Sequence, residues 1–522
     1  MLVRYVFEWA AQRASSTAWL APDGFPVSWA ALAQAVVVTA RRLSEEGRFD
    51  RRGTHAPPCV VTQLPNGWEA IVLALAIDFL GAIESPLDQR LSAAEVRRRA
   101  ERLDARLIIS SQSLARAPRW VPSPADASLL SGSLLSAGSL GRAATSRVPG
   151  ASAGRLAAEL AAATEECTVR SDPRRPRLVL WTSGSTGSPK GVVLGGGALE
   201  ANARGKLGAA PQTAEDVRLT VLPLAHAYAR TCDFGTWLLT GGTLSAVDGW
   251  AGLMAAAPRV RPTLLNCVPY VIDKLLAGTS GDSAAAREAR LSRLRALGME
   301  RLRMLGCGGA AMESDRFAEL TALGIHVIQG YGLTEAGPVV CSATPSDRAP
   351  GVVGRPIAET EIRLDASGQV LCRGPGLMLG YWGDSESTAA RFDQGWLRTG
   401  DRGSIDAEGR LRVLGRIDNV IVLSTGRKIS PEPLEQRLQK IPGVRHVVLR
   451  GCGAGLEAWV DAEPQASAER LQAAFAEELR DELPEHQVRR VTLLARPLSA
   501  DRGELTIKGT VCRQRVLEGL PA

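Results

Sequence analysis

The segment Thr182-Ser183-Gly184-Ser185-Thr186-Gly187-Ser188-Pro189-Lys190-Gly191 directly follows an apolar run, Arg177 to Trp181, that reads as a strand. Glycines let backbone N–H groups approach an anion, hydroxyls add donors, and Lys190 adds a positive charge. The chain has only 6 lysines, so one inside this loop carries weight. The spacing is not that of the G-x-x-x-x-G-K-[ST] phosphate loop. Phosphate binding is the reading that uses the strand, the glycines and the lysine together. A flexible Ser/Gly surface loop is the plain alternative.

Gly308-Gly309-Ala310 and Gly330-Tyr331-Gly332-Leu333-Thr334-Glu335 follow two further strand-like runs, Met304 to Cys307 and His326 to Gln329. A floor of small residues beside a tyrosine can hold a flat ring. Thr334 offers a hydroxyl to a phosphate, and Glu335 a carboxylate to Mg²⁺. Taken singly, Tyr331 reads equally well as a core or turn tyrosine. In Thr399-Gly400-Asp401, the aspartate after a glycine turn suits bidentate contact with a ribose diol, or else closes an Asx-turn. Arg416 can reach the same ribose or a phosphate, with an interdomain salt bridge as its alternative. Of five histidines, only His226 lies next to both a candidate strand end and glycine-rich sequence, and alone it reads as structural or functional. Ser183 lacks the G-x-S-x-G spacing of a nucleophile elbow.

The elements around these residues alternate between helix and strand. Ser92 and Glu95 form a capping-box pattern ahead of an Arg/Glu-rich helix, and the strand Leu107 to Ser110 follows. From 177 to 345, strand candidates at Arg177 to Trp181, Leu219 to Pro223, Thr263 to Cys267, Met304 to Cys307 and His326 to Gln329 each open into glycines or turns. Open α/β sheets bind ligands at the carboxyl ends of such strands. Residues 122–165 are rich in Ser, Ala, Gly and Pro and read as surface loops or a mobile segment. After Gly351 the strands shorten, and Gly415 to Asn419 marks a break. Beyond it lie a strand, Val420 to Leu423, a turn at Gly426, and a helix opened by Ser430-Pro431 that carries Glu435. The expected fold is α/β, with a large N-terminal body of several layered subdomains (1–417) and a small mobile α+β domain (418–522).

Composition narrows the class. The 522 residues, 45% hydrophobic and 22% charged, suffice for a large core and a polar surface. No run spans a bilayer, the longest near the N-terminal third being Ala70 to Ile77, and Glu8 and Arg13 break any signal-peptide pattern. The cytoplasm is the expected location. Nine cysteines show no C-x-x-C pair, which excludes zinc spacing and suits reduced core thiols. A charge of +7 resting on 56 arginines, with 5% aromatic residues, gives no base-stacking platform, so no nucleic-acid partner is expected.

In this order, the segments resemble the adenylate-forming family of acyl-CoA and aryl-CoA synthetases, related to luciferases and nonribosomal adenylation domains. The resemblance rests on WTSGSTGSPKG (181–191), LPLAHAYART (222–231), GYGLTE (330–335), GYWGDSESTAARFDQGWLRTGD (380–401) and GRIDNVIVLSTGRKISPEPLE (415–435). It implies an acid–thiol ligase using ATP, Mg²⁺ and coenzyme A. Thr182 to Lys190 (Thr182, Ser183, Gly184, Ser185, Thr186, Gly187 and Lys190 among them) would hold the β- and γ-phosphates. Tyr331 would stack on adenine in a slot lined by Gly309 and Gly330. Thr334 would contact the α-phosphate, Glu335 would hold Mg²⁺, and Asp401 and Arg416 would secure the ribose. Asp418 would be the hinge, His226 would border the carboxylate pocket, and Gly426 would line the pantetheine tunnel.

The family's catalytic lysine sits in a Gly-Lys or Leu-Thr-x-x-x-Lys context. The tail here, Gly503-Glu504-Leu505-Thr506-Ile507-Lys508-Gly509-Thr510, departs from both, and alignment on Leu-Thr places Thr510 at that position. Lys508 is the only lysine after Lys440 and is assigned the role. By the resemblance, the acid attacks the α-phosphate of ATP to give acyl-AMP and pyrophosphate, and a thiolate then expels AMP. Val420 to Glu435, and Ala229-Arg230-Thr231 after His226, look like the fatty acyl-CoA synthetase branch, while aryl-acid ligases share the framework. Fatty and aromatic acids both stand. Cys232, Phe234 and Trp237 read as a closed pocket or as a core face. A carrier-protein phosphopantetheine is the alternative acceptor, and an inactive ATP-binding sensor or scaffold the alternative class. Monomer and homodimer are both open.

Overall fold

The computed structural model describes residues 2–47, 57–116, 121–126, 162, 172–182, 189–279, 281, 283–309, 312–347, 349–505 and 511–520. Ser183, Gly184, Ser185, Thr186 and Gly187 of the glycine loop, Lys508, and all but a few of residues 122–165 lie outside them. The chain divides into two compact units. One comprises Met1–Ile362, Cys372–Leu397 and Gly409–Leu411, the other Arg363–Leu371, Arg398–Glu408 and Arg412–Ala522.

The first unit is built on two sheets. The larger has nine strands in the order Arg355–Pro356, Val339–Ser342, His326–Gly332, Met304–Cys307, Leu264–Cys267, Val217–Thr220, Thr243–Ala246, Thr17–Leu20 and Pro26–Ser28. Its six central strands, from His326–Gly332 to Thr17–Leu20, pair in parallel. The second sheet has six strands, ordered Gly380–Tyr381, Lys190–Gly195, Pro176–Thr182, Ile83–Pro86, Cys59–Gln63 and Leu107–Ser110. Leu264–Cys267 and Met304–Cys307 are buried along their whole length, as parallel strands covered on both faces must be. The apolar run Ala70 to Ile77 lies in the helix Trp68–Phe79, which buries every residue from Ile71 to Ile77.

Two strand ends differ from the sequence expectation. The strand expected over Leu219 to Pro223 stops at Thr220, whose carbonyl accepts from Val247 N at 2.9 Å. Pro223 has no N–H for a ladder, and its carbonyl instead accepts from His226 N in a turn. The strand expected over His326 to Gln329 runs on to Gly332, because Gly330, Tyr331 and Gly332 pair antiparallel with Ser342, Cys341 and Val339. The Ser92–Glu95 box is half formed. Ser92 Oγ accepts from Glu95 N, while the Glu95 carboxylate is taken by Arg98 and Arg99. Arg99 and Arg102 lie over the Trp181 ring, so the basic cluster of this helix braces the strand that leads into the glycine loop.

In the second unit, Val444–Cys452, Gly455–Ala462 and Val488–Leu493 form a three-stranded sheet. The helices Pro431–Leu438 and Ala468–Glu478 cover it through Leu438, Leu449, Leu456 and Phe475. Glu435, half-buried in the first helix, accepts from Leu449 N and pairs with Arg513 of the last helix, Arg513–Glu518. The hairpin Ile421–Val422/Lys428–Ile429 turns at Gly426, whose φ of +77° calls for glycine. The eight described cysteines are unbridged, and six of them are buried. Among the described residues, no helix is long and apolar enough to cross a membrane.

Candidate active site

Parallel register brings the sequence motifs to one edge. Cys267 and Cys307 end their strands side by side, in register with Gln329 of the next strand. The residues just past them, Gly308 and Gly309 on one strand and Gly330 and Tyr331 on the next, therefore share one rim. Gly309 has φ +80°, which reserves its position for glycine. Tyr331 is half-buried and pairs with Cys341. Thr334 and Glu335 fall in a single 3-10 turn, Thr334–Ala336. Asn202 holds the segment after that turn, donating to the carbonyls of Ala336 and Val339 and accepting from Val339 N.

Glu335 is only 6% exposed and sits at the centre of a polar cluster. Tyr381 donates its hydroxyl to Glu335 Oε1 at 2.8 Å, and Arg391 Nε donates to the same hydroxyl at 3.1 Å. Arg391 Nη2 lies 3.5 Å from that carboxylate oxygen. Burial, reinforced by the Glu335 charge and opposed by Arg391, pushes the Tyr381 phenol up to about 12. Lys190 joins from the other side, with Nζ 5.1 Å from the Tyr381 ring centre, 2.6 Å from Ser387 Oγ and 3.9 Å from Asp384 Oδ2. Thr182 faces Lys190 across the strand pair that brackets the glycine loop. The two sequence-predicted residues Lys190 and Glu335 are thus bridged by Tyr381, which sequence reasoning missed. Tyr381, Asp384, Ser387 and Arg391 all belong to the 380–401 motif, in which the sequence points to Asp401.

His226 stands apart from this cluster, capping the short helix Ala227–Ala229. Its Nε2 lies 3.7 Å from Asp88 Oδ2. Asp88 is gripped by two Arg90 nitrogens at 2.9 and 2.6 Å, and the guanidinium, against burial and helped by His226, holds that carboxyl well below the usual range. Asn66 fixes the preceding loop by donating to Leu222 O and accepting from Leu224 N. Arg230 pairs with buried Glu84, and Thr231 donates to Gly337 O at 2.9 Å. The Ala-Arg-Thr after His226 therefore supports the fold.

Phe234 and Trp237 are core residues. Trp237 stacks on Trp29 with ring centres 5.2 Å apart and donates to Ala18 O and Gly242 O. Phe234 packs against Trp237, and Cys232 packs against Val339 and Ile357. The open choice between pocket and core face resolves to core.

In the second unit, Arg416 Nη1 donates to Asp401 Oδ1 at 3.0 Å and to Thr399 O at 3.1 Å, and Nη2 lies 3.4 Å from Asp418 Oδ2. Gly400 has φ +75°, and a Cβ there would come 2.5 Å from Arg416 Nη2, so this pairing needs glycine on two counts. Leu505 and Val511, which flank the Lys508 segment, pair in an antiparallel bridge.

Among the described residues, no group of three or more His, Cys, Asp or Glu side chains could hold a metal. A single buried carboxylate fits Mg²⁺ only as an ion that arrives with most of its own ligands. That is how Mg²⁺ travels on nucleotide phosphates.

The profile of the AMP-binding enzyme family matches residues 6–382, and that of the AMP-binding enzyme C-terminal domain matches 418–520. The indoleacetate–CoA ligase of Aromatoleum aromaticum is 32% identical over 53% of this chain, and the match spans only about half of the relative, 55% of its length. The long-chain-fatty-acid–CoA ligase of Mycobacterium bovis is 27% identical over 76% of this chain and 72% of its own. Among solved structures, the Bacillus subtilis O-succinylbenzoate coenzyme A synthetase with AMP superposes with a TM-score of 0.73 at 21% identity, covering 98% of this chain and 97% of that one.

Proposed function

The chain belongs to the AMP-binding enzyme family, and on that premise we propose that it activates a carboxylic acid with MgATP and passes the acyl group to coenzyme A. A carboxylate resists attack because its charge repels nucleophiles and oxide is a poor leaving group. When a carboxylate oxygen attacks the α-phosphorus of ATP, pyrophosphate leaves and the acyl carbon gains AMP as its leaving group. The thiolate of coenzyme A then takes the acyl group and AMP departs.

The observation that carries this reading is the contiguous cluster of Lys190, Tyr381, Glu335 and Arg391 beside Thr334. Cationic groups beside one buried carboxylate are the combination that suits a nucleoside triphosphate carrying its metal ion, and this supports the reading. In this role Lys190, Thr182 and the glycine loop of Ser183, Gly184, Ser185, Thr186 and Gly187 hold the β- and γ-phosphates. Thr334 meets the α-phosphate, and Glu335 takes the Mg²⁺ that comes with the substrate. Tyr331 stacks on adenine over Gly309 and Gly330, and the Asp401–Arg416 pair takes the ribose. Charge grows on the phosphoryl oxygens as pyrophosphate departs, and fixed donors stabilise it there. Lys508 supplies the C-terminal cation for that step. Rotation of residues 418–522 about Asp418 then withdraws Lys508 and presents Gly426 to the thiol. His226, held by Asp88, borders the entering carboxylate.

Pyrophosphate release measured across aliphatic and aromatic carboxylates, with and without coenzyme A, tests this reading. The expected result is release that depends on the acid, with a CoA thioester as product. Acid-independent release, or ADP as the product, contradicts it.

A further inference from the structure

The turn that carries His226 is anchored twice to the second sheet, and only one of the anchors touches the imidazole. His226 Nε2 faces Asp88 Oδ2 at 3.7 Å. One helical turn later Arg230, whose N–H donates to His226 O at 3.0 Å, pairs with Glu84. Both acids come from one stretch of chain, Glu84 within the strand Ile83–Pro86 and Asp88 just past its end. Consecutive residues of the neighbouring strand, Cys59–Gln63, brace them. Thr62 donates to Glu84 Oε1 at 3.1 Å, and Gln63 Nε2 donates to the carbonyls of Asp88 and Leu91 at 3.3 and 2.9 Å.

The anchor that does not touch the imidazole is the drier of the two. The side chains of Glu84 and Arg230 are 5% and 9% exposed, against 28% for His226. Two charges taken out of water to this degree depend on each other, because either one alone would be left buried and uncompensated. The Arg230 guanidinium lies over the Phe234 ring at 4.8 Å, and on its open side is a cavity of about 30 Å³ bounded by Asp78, Glu84, Arg177 and Arg230. That is room for a water molecule or two. Asp78, the other acid on the cavity, accepts from Val3 N at 2.9 Å and faces Arg177 Nε at 3.9 Å. Charge, more than close packing, therefore sets where the Arg230 guanidinium lies. Arg230 also opens a π-type turn, Arg230–Gly235, a geometry frequent at functional sites. The next residue ties the other face of that turn. Thr231 donates to the carbonyl of Gly337, which closes the Thr334–Ala336 turn.

We infer that the Glu84–Arg230 pair is a positioning element for acid activation: it fixes the His226 turn to the second sheet, so that the imidazole meets the entering carboxylate at one place. Neither Glu84 nor Arg230 touches the acid in this role, and both act through His226. Asp88 orients the ring, and the buried pair one turn away orients the backbone that carries it. This inference rests on the acid-activation reading above and adds two positioning residues to it.

The test compares four full-length chains: wild type, Glu84→Gln/Arg230→Met, His226→Ala and the triple variant. Each is assayed by pyrophosphate release with MgATP and whichever of phenylacetate, 4-hydroxycinnamate, hexanoate and dodecanoate wild type uses best. The double substitution removes both charges together, a replacement that is often close to neutral for folding, and thermal unfolding checks it. In the double variant the KM for the acid should rise by about tenfold or more, with the KM for MgATP within about twofold because Thr231 still holds the far face of the turn. In the His226→Ala background the same double substitution should change the acid KM by less than about twofold. A pair with a merely structural role lowers the unfolding temperature and the active fraction without separating the two KM values. Glu84→Asp, which keeps the charge and draws it back by one methylene, serves the same comparison where the double variant does not fold. An unchanged acid KM overturns the inference, as does a rise of equal size with and without His226. A His226→Ala enzyme that uses the acid as wild type does removes the histidine from the reading above, and this inference with it. Silence of wild type with all four acids contradicts the acid-activation reading itself.

Discussion

Tyr381→Phe removes a single oxygen atom from the centre of the Glu335 cluster. In the wild type that oxygen donates to Glu335 at 2.8 Å and accepts from Arg391 at 3.1 Å. Hydrogen bonds to charged partners contribute about 1.5–3 kcal/mol each. Both are not lost in full, because Arg391 Nη2 already stands 3.5 Å from the same carboxylate oxygen and can close onto it. One bond's worth, about 1.5–3 kcal/mol, is the expected net loss. If Glu335 orients the Mg²⁺ of MgATP, that loss falls on the nucleotide and lowers kcat/KM for MgATP by roughly 10–150-fold. The assay is acid-dependent pyrophosphate release against MgATP at several free Mg²⁺ concentrations, with thermal unfolding as the control for folding. The Mg²⁺ dependence should move to higher concentration. Because Tyr381 is pushed up to about 12, its hydroxyl stays protonated and donating, so the wild-type profile should show no alkaline inflection from it below about pH 10. A Tyr381→Phe enzyme within threefold of wild type, with unchanged unfolding, refutes the role assigned to the cluster.

Three further outcomes are expected. Lys508→Ala should slow adenylation by at least about 100-fold while leaving thioester formation from supplied acyl-AMP within a few fold; equal losses in the two half-reactions would remove Lys508 from its role. Gly426→Leu should show the reverse pattern, and normal thioester formation from acyl-AMP would exclude the glycine from the thiol path. Burial pushes Lys206 down to about 8, where its ammonium meets Ser342 Oγ at 2.8 Å. Between that value and the unfolded value near 10.4 the unfolded chain binds more protons, so wild type should gain up to about 3 kcal/mol over Lys206→Met as pH rises through this window. Denaturant unfolding of both proteins at pH 7 and pH 10 measures it, and equal stability differences at the two pH values would show that Lys206 keeps its proton in the folded protein and is not pushed down by burial.

The layered α/β body was legible because buried parallel strands that open into glycines leave a plain record in the sequence. Strand ends were read less well. Pro223 could not extend a ladder, and Gly330 to Gly332 gained a partner, Val339–Ser342, that only the fold supplies. The 380–401 motif pointed to a site residue at Asp401, yet Tyr381 and Arg391 meet Glu335 across 46 and 56 positions of chain, which no local pattern encodes. Cys232, Phe234 and Trp237 show the opposite limit. Their apolar character says that they are covered, and only the stacking of Trp237 on Trp29 says by what. Glu435, which the sequence placed on its helix without a role, is a half-buried anchor for the last helix through Arg513.

The central claim is that a carboxylate oxygen attacks the α-phosphorus of ATP. Incubating the enzyme with MgATP, coenzyme A and an accepted acid labelled with ¹⁸O in both carboxylate oxygens tests it directly by mass spectrometry of the products. The account predicts one ¹⁸O in each AMP released and none in pyrophosphate. Unlabelled AMP, or label appearing in pyrophosphate or phosphate, would contradict it.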